Sequence, residues 1–155
     1  MKVLFLDIDG VLNSKRTLLA FDAYPRSYHY KDMQIFDQVA LSLIRRLCDE
    51  TGAQICLSSD WRIDDLTKTV IHPLKHAVGL GLPVRGCTPI LTGSRGTEIN
   101  AWLSEHPEVT NYAIVDDHAD MLQDQQNHFV QTDPEFGLSA RNFIYLKTIL
   151  MREAA

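Results

Sequence analysis

The segment Lys2-Val3-Leu4-Phe5-Leu6-Asp7-Ile8-Asp9-Gly10 constrains the fold of this chain more than any other. Val3 to Leu6 is an unbroken apolar run, the signature of a strand buried on both faces of a parallel sheet. The run ends in two carboxylates two residues apart, and strand periodicity sends Asp7 and Asp9 to the same side. Gly10 permits a sharp backbone turn directly after them. Like charges this close repel unless a cation sits between them or one takes a proton. A hard divalent cation with oxygen ligands, Mg²⁺ above others, resolves the conflict. The segment therefore points to metal-assisted chemistry, against the plainer reading of an Asp-Gly turn.

A second and a third stretch repeat the pattern. Ala53-Gln54-Ile55-Cys56-Leu57 runs into Ser58-Ser59-Asp60-Trp61-Arg62, and Tyr112-Ala113-Ile114-Val115 runs into Asp116-Asp117-His118-Ala119-Asp120. Between the strands the spacing predicts helices. One covers about 34–50, with Phe36, Val39, Ala40, Leu43, Ile44 and Leu47 inward and Gly52 as its C-terminal cap. Others cover about 64–76 (bent or split at Pro73), 97–104 and about 139–152. Residues 82–91 read as strand fragments, and Phe129-Val130 as a short further strand. The alternation predicts an α/β fold: a doubly wound, mainly parallel sheet flanked by helices. In such sheets ligands bind beyond the carboxyl ends of the strands, where all three loaded ends would meet.

The chain has 155 residues, which predicts one domain over 1–155, and 45% apolar residues, enough for a sizeable core. A net charge of −5 argues against a surface that grips nucleic acid all over, and leaves room for a local basic groove. No apolar run approaches the roughly 20 residues that span a bilayer, and none resembles a signal peptide, so no membrane partner and a cytoplasmic location are expected. Cys48, Cys56 and Cys87 lack metal-ligand spacing and read as reduced, mostly buried thiols. Residues 14–33 have no clear period and form a long loop or flap, rich in aromatic and cationic groups at Tyr24-Pro25-Arg26-Ser27-Tyr28-His29-Tyr30. Two readings of it stand: Arg26 and Tyr28 touch a phosphorylated, base-bearing substrate, or the flap packs over the sheet. Trp61 and Arg62 are candidates for the entrance of the site, with a core position as the alternative for Trp61.

Together these residues resemble the haloacid dehalogenase-like hydrolase superfamily, with its four motifs in order across nearly the whole chain. Asp7-Ile8-Asp9-Gly10-Val11-Leu12 is similar to the first motif, Leu57-Ser58-Ser59 to the second and Ile114-Val115-Asp116-Asp117 to the fourth. Arg95 matches the cationic third motif better than Lys75. The resemblance implies that Asp7 is the nucleophile of an aspartyl-phosphate route and Asp9 the general acid and base. It implies Mg²⁺ held by Asp7, Asp9 through its carbonyl, and Asp116 or Asp117, with Ser58 or Ser59 and Arg95 on the phosphoryl oxygens. Asp120 would sit in the outer shell. The second acid favours phosphate-ester hydrolysis over carbon–halogen cleavage.

The intervals 13–58 and 59–95 are too short to add a cap domain of at least ~50 residues. Capless members of the superfamily act on large substrates. The stretches around Ser58, Arg95 and Asp116 resemble the branch fused to RNA-repair modules and, more loosely, the 3′-phosphatase domain of polynucleotide kinases. The expectation is a phosphatase of nucleic-acid ends. A small-molecule phosphatase or nucleotidase, and a non-catalytic binding module on the same fold, are the alternatives.

Overall fold

β1 (Lys2–Leu6) lies in the middle of the sheet, where its two-sided apolar run requires it to be. The computed structural model describes residues 1–152. Its five strands are all parallel, in the order β3-β2-β1-β4-β5. The other strands are β2 (Gln54–Leu57), β3 (Val84–Cys87), β4 (Asn111–Asp116) and β5 (Phe129–Gln131). Phe5 pairs with Cys56 on one side and Ile114 on the other.

The period of two divides the core. Leu4, Leu6, Ile55, Leu57, Ala113 and Val115 face α3 (Gln38–Thr51) and α6 (Ala140–Leu150). Val3, Phe5, Cys56 and Ile114 face α5 (Arg95–Ser104) through Ile99 and Trp102. Phe5 meets the Trp102 ring edge-on, with centroids 5.4 Å apart. From β1 the chain winds outward through β2 and β3, then returns to the other side of β1 for β4 and β5. β1 and β4 thus flank the switch point, and their carboxyl ends carry Asp7, Asp9, Asp116 and Asp117. Cys48 and Cys56 are buried, Cys87 partly so, and none forms a disulfide. No described helix is long and apolar enough to cross a membrane.

Three segments depart from the expectations. Residues 14–33 contain two short helices, α1 (Lys15–Phe21) and α2 (Tyr30–Met33). α1 starts at a reciprocal cap in which the Thr17 N–H donates to Ser14 Oγ and the Ser14 N–H to Thr17 Oγ1. The helix predicted over about 64–76 does not form. The Asp64 carboxylate accepts the N–H groups of Leu66 and Thr67, Lys68 takes a left-handed φ of 55°, and Leu66 is 94% exposed. Pro73 instead opens α4 (Pro73–Leu80), at a position where no N–H is needed.

α3 begins four residues later than its apolar pattern suggests, because Asp37 caps it by accepting the N–H groups of Val39 and Ala40. That start turns Val39 outward and brings in Leu41 and Cys48. Asp37 also takes the Arg16 guanidinium at 2.6 Å, which joins α1 to α3. Asp37→Ala removes both contacts. Its midpoint in urea should fall by the equivalent of about 1–2 kcal/mol at unchanged slope; no shift would mean that the cap and the α1–α3 tie are energetically idle.

Candidate active site at the carboxyl edge of the sheet

The strand ends open into a cleft of about 1290 Å³ whose lining includes Asp7, Asp9, Ser59, Trp61, Arg95 and Asp117. Tyr24, Arg26, Tyr28, His29 and Lys75 also line it. Asp7 and Asp116 are almost fully buried, with 5% and 1% of their surface exposed. Between them lies Arg95, at the first turn of α5. Its Nη1 is 3.9 Å from Asp7 Oδ1, its Nε 3.7 Å from Asp116 Oδ2 and its Nη2 3.8 Å from Asp60 Oδ1. Its Nη1 also donates to the Ser58 carbonyl. One guanidinium thus faces three carboxylates, none at contact distance.

That balance leaves excess negative charge in a dry place. Burial pushes the Asp7 carboxyl up, and Asp116 pushes it further, while Arg95 and the Ser59 hydroxyl pull it back. Burial likewise raises Asp116, against the His118 N–H that its carboxylate accepts and against Arg95. Asp117 turns in beside Gly10. Gly10 holds a φ of 77°, and a Cβ there would come within 2.6 Å of the Asp117 carboxylate, so no side chain fits. Asp117 Oδ1 is 2.7 Å from His118 Nδ1, a bond that draws the imidazole pKa upward.

Asp9 stands apart from this cluster. It is exposed at the mouth, where its Oδ1 accepts the Asn13 side-chain amide at 2.7 Å and its Oδ2 the Trp61 indole N–H at 3.1 Å. Asn13 is itself buried and accepts the Gly10 N–H at 3.1 Å.

The cleft brings together Asp7, Asp9, Ser59, Arg95 and Asp117, with Asp116 directly behind Arg95. Of the two serines, Ser59 lines the cleft beside Asp7, and its hydroxyl accepts the Trp61 backbone N–H to start a 3₁₀ turn over Asp60–Arg62. The Ser58 hydroxyl is buried without a partner. Arg62 is not at the entrance. It is 1% exposed, pairs with Glu98 at 2.6 Å and donates to the carbonyls of Ser59, Thr88 and Pro89. It fastens the 3₁₀ turn to α5, and its buried guanidinium does not line the cleft.

Asp120 lies outside the cluster as well: its carboxylate accepts the Arg95 backbone N–H at 2.9 Å and fixes the start of α5. Tyr28 is pinned rather than free, its hydroxyl 2.8 Å from His76 Nδ1 and its ring against Trp61, which agrees with a packed flap. Arg26 remains exposed, with no ion pair among the described residues. Asn13, Asp60 and His118 belong to the site and carry no signal in a sequence read by motif. Only the Asp-Asp-His triplet hinted at the last.

The ligand atoms of Asp116, Asp117 and His118 lie within 4.8 Å of one another. With Asp7 across from them, the donors are mostly carboxylate oxygens, suited to a hard cation. The buried pair makes this testable without any substrate. Because the folded state raises the Asp7 pKa above its unfolded value, it binds protons that the unfolded chain releases. Stability is therefore full below the ordinary aspartate value of 3.8 and is lost as the pH climbs toward about 7. Metal-free protein at pH 8 should melt lower than at pH 5, and Asp7→Asn should melt at least ~2 °C above the parent at pH 8, the shift that ~1 kcal/mol gives a domain of this size. Mg²⁺ should raise the parent and leave Asp7→Asn nearly unmoved. A lower melting point for Asp7→Asn would refute the charge-stress account.

Comparison with known proteins agrees with this geometry. No curated protein and no solved structure matches the chain. A family model does, over residues 3–143, from the first residues of β1 into α6. It is described as the HAD domain in Swiss Army Knife RNA repair proteins, HAD standing for haloacid dehalogenase-like. The match spans the three loaded strand ends and Arg95, and the chain belongs to this family of hydrolase-fold domains.

Proposed function

We propose that this chain is a Mg²⁺-dependent phosphatase that works through an aspartyl-phosphate and acts on phosphorylated nucleic-acid ends or nucleotides. The observation that carries the reading is the contrast between the two acids of the first motif. Asp7 is buried, charge-stressed and faced by Arg95. Asp9 is exposed at the mouth and held by two donors. A cation bound beside Asp7 and Arg95 would hold that carboxylate ionised as a nucleophile, while the open position of Asp9 leaves it free to give and take a proton.

The fit for a divalent cation rests on the same chemistry. Asp7, Asp116 and Asp117 present oxygen donors, and Arg95 alone undercompensates the buried charge. Asp7, Asp116 or Asp117 and the Asp9 carbonyl would hold Mg²⁺. Bound there, it would offset charge between the carboxylate nucleophile and the phosphoryl oxygens.

The residues of the chain divide the remaining work. Arg95 restrains Asp7 and binds a phosphoryl oxygen, and the Ser59 hydroxyl binds another. Asp7 forms the bond to phosphorus as Asp9 gives its proton to the leaving oxygen. Ser58 is left to support Arg95 through its carbonyl.

The rest of the cleft lining suits an extended substrate. Tyr24 and Arg26 of the insert and Lys75 of α4 line the same cleft, so an aromatic ring and two cations are available beyond the reacting phosphate. The description of the family as domains of RNA repair proteins supports the same class.

Phosphate release should be measured with Mg²⁺ from matched 3′-phosphorylated oligonucleotides and 3′-mononucleotides. The expected result is Mg²⁺-dependent release that Asp7→Asn abolishes. Preference for the oligonucleotide should shrink at least ~10-fold, about 1.4 kcal/mol, in the Arg26→Ala, Lys75→Ala double variant. Preference for the mononucleotide would make the protein a nucleotidase. Unchanged activity in Asp7→Asn would overturn the nucleophile assignment.

A further inference from the structure

We propose that Trp61 is a positioning residue that aims the Asp9 carboxyl group into the cleft, locked in place by an aromatic clasp from the insert. The proposal rests on the phosphatase reading above. An exposed aspartate on a turn has free choice of rotamer, and its use as an acid depends on losing that choice. Asp9 loses it to donors from two elements. Asn13 Nδ2 holds one oxygen from the turn after β1, and Trp61 Nε1 holds the other from the 3₁₀ turn after β2.

Both partners only donate. An indole nitrogen has no acceptor function, and the acceptor oxygen of Asn13 is taken by the Gly10 N–H. Both oxygens are therefore held by donors that fix the direction of the carboxyl group, which faces the cleft.

The indole is fixed from behind. Its ring lies 5.2 Å from that of Tyr28 and 5.5 Å from that of the buried Phe36. Tyr28 is held in turn by His76, which is fully buried in α4, at 2.8 Å. The Tyr28 ring presses on Gly79, where a Cβ would come within 2.3 Å of it. The insert thereby reaches the acid–base residue through ring contacts, without touching the reacting atoms.

The proton inventory of the reaction shows what this placement does. In the first half, Asp9 gives its proton to the ester oxygen while that oxygen leaves phosphorus and an Asp7 oxygen bonds to it; the alcohol departs. In the second half, the Asp9 carboxylate takes a proton from a water whose oxygen attacks phosphorus. The bond to Asp7 breaks, inorganic phosphate departs and Asp9 is again an acid. The first transfer matters for an alkoxide leaving group and little for an acidic phenol.

Trp61→Phe keeps the ring and removes the N–H. We expect its kcat to fall ~10-fold or more on an alkyl phosphate, and less than ~3-fold on a nitrophenyl phosphate, with KM values within ~3-fold of the parent. An equal loss on both esters would overturn the positioning role and leave the phosphatase reading intact. The alkyl phosphate is a 3′-phosphorylated oligonucleotide, and failure of the parent to hydrolyse it would remove that reading and this proposal with it.

A second measurement needs no turnover. The chain has two tryptophans, hence two indole N–H signals in a ¹⁵N–¹H spectrum. The Trp61 signal, identified by its loss in Trp61→Phe, should move in Asp9→Ala while that of Trp102 stays. An unmoved Trp61 signal would show that the bond does not form.

Discussion

Arg95 set between buried carboxylates is the interaction on which the rest of this structure turns. Asp7 and Asp116 are removed from water at the ends of adjacent strands, and among the described residues the only cation within 4 Å of both is a guanidinium that reaches neither closely. A pair of buried like charges is a poor way to stabilise a fold. It is a good way to create a place where a cation and a phosphoryl group are wanted together. The position follows from topology, since β1 and β4 diverge at the switch point and deliver their last residues to one spot.

Much of the surrounding structure serves to hold that arrangement. Gly10 turns sharply enough for Asp117 to occupy the space a side chain would fill. Asp120 fixes the first turn of α5, and Gly96 lets that turn lie against the 121–122 backbone, where a Cβ would meet Leu122 at 2.5 Å. Arg62 and Glu98 tie the turn after β2 to the same helix through a buried ion pair backed by three backbone carbonyls. Arg95 is thus carried on a helix end braced from both neighbouring strand ends, which is what a rigid site requires.

The sheet and the strand-end acids were legible in the sequence because their signals are local. An apolar run followed by Asp-x-Asp-Gly needs no knowledge of the rest of the chain, and Gly52 marks the end of α3 as expected. Other features were hidden for physical reasons. α1 is capped by Ser14 and Thr17, without the usual Glu or Gln, and Leu19 and Phe21 of its short span face solvent, so no amphipathic pattern marks it. Leu66, Val70 and Ile71 mimic a helical period, but the Asp64 side chain closes a turn that competes with a helix. At the site, Arg62 follows the motif serines directly yet points into the core. Asn13 and Trp61 find Asp9 only through the tertiary fold, Trp61 from 52 residues away. Sequence pattern locates the strand-end carboxylates; the groups that touch them depend on how the loops close.

The central claim is that the buried, charge-stressed Asp7 is the group that takes the phosphoryl. The most direct measurement is to mix the protein with a phosphate ester and Mg²⁺, quench in acid within the first turnover, and map the phosphorylated peptide by mass. A phosphoryl group on Asp7 in the peptide that carries β1, absent from Asp7→Asn, is the predicted result. An adduct on any other residue, or steady release of phosphate with no acid-stable adduct on Asp7 at any quench time, would contradict the account.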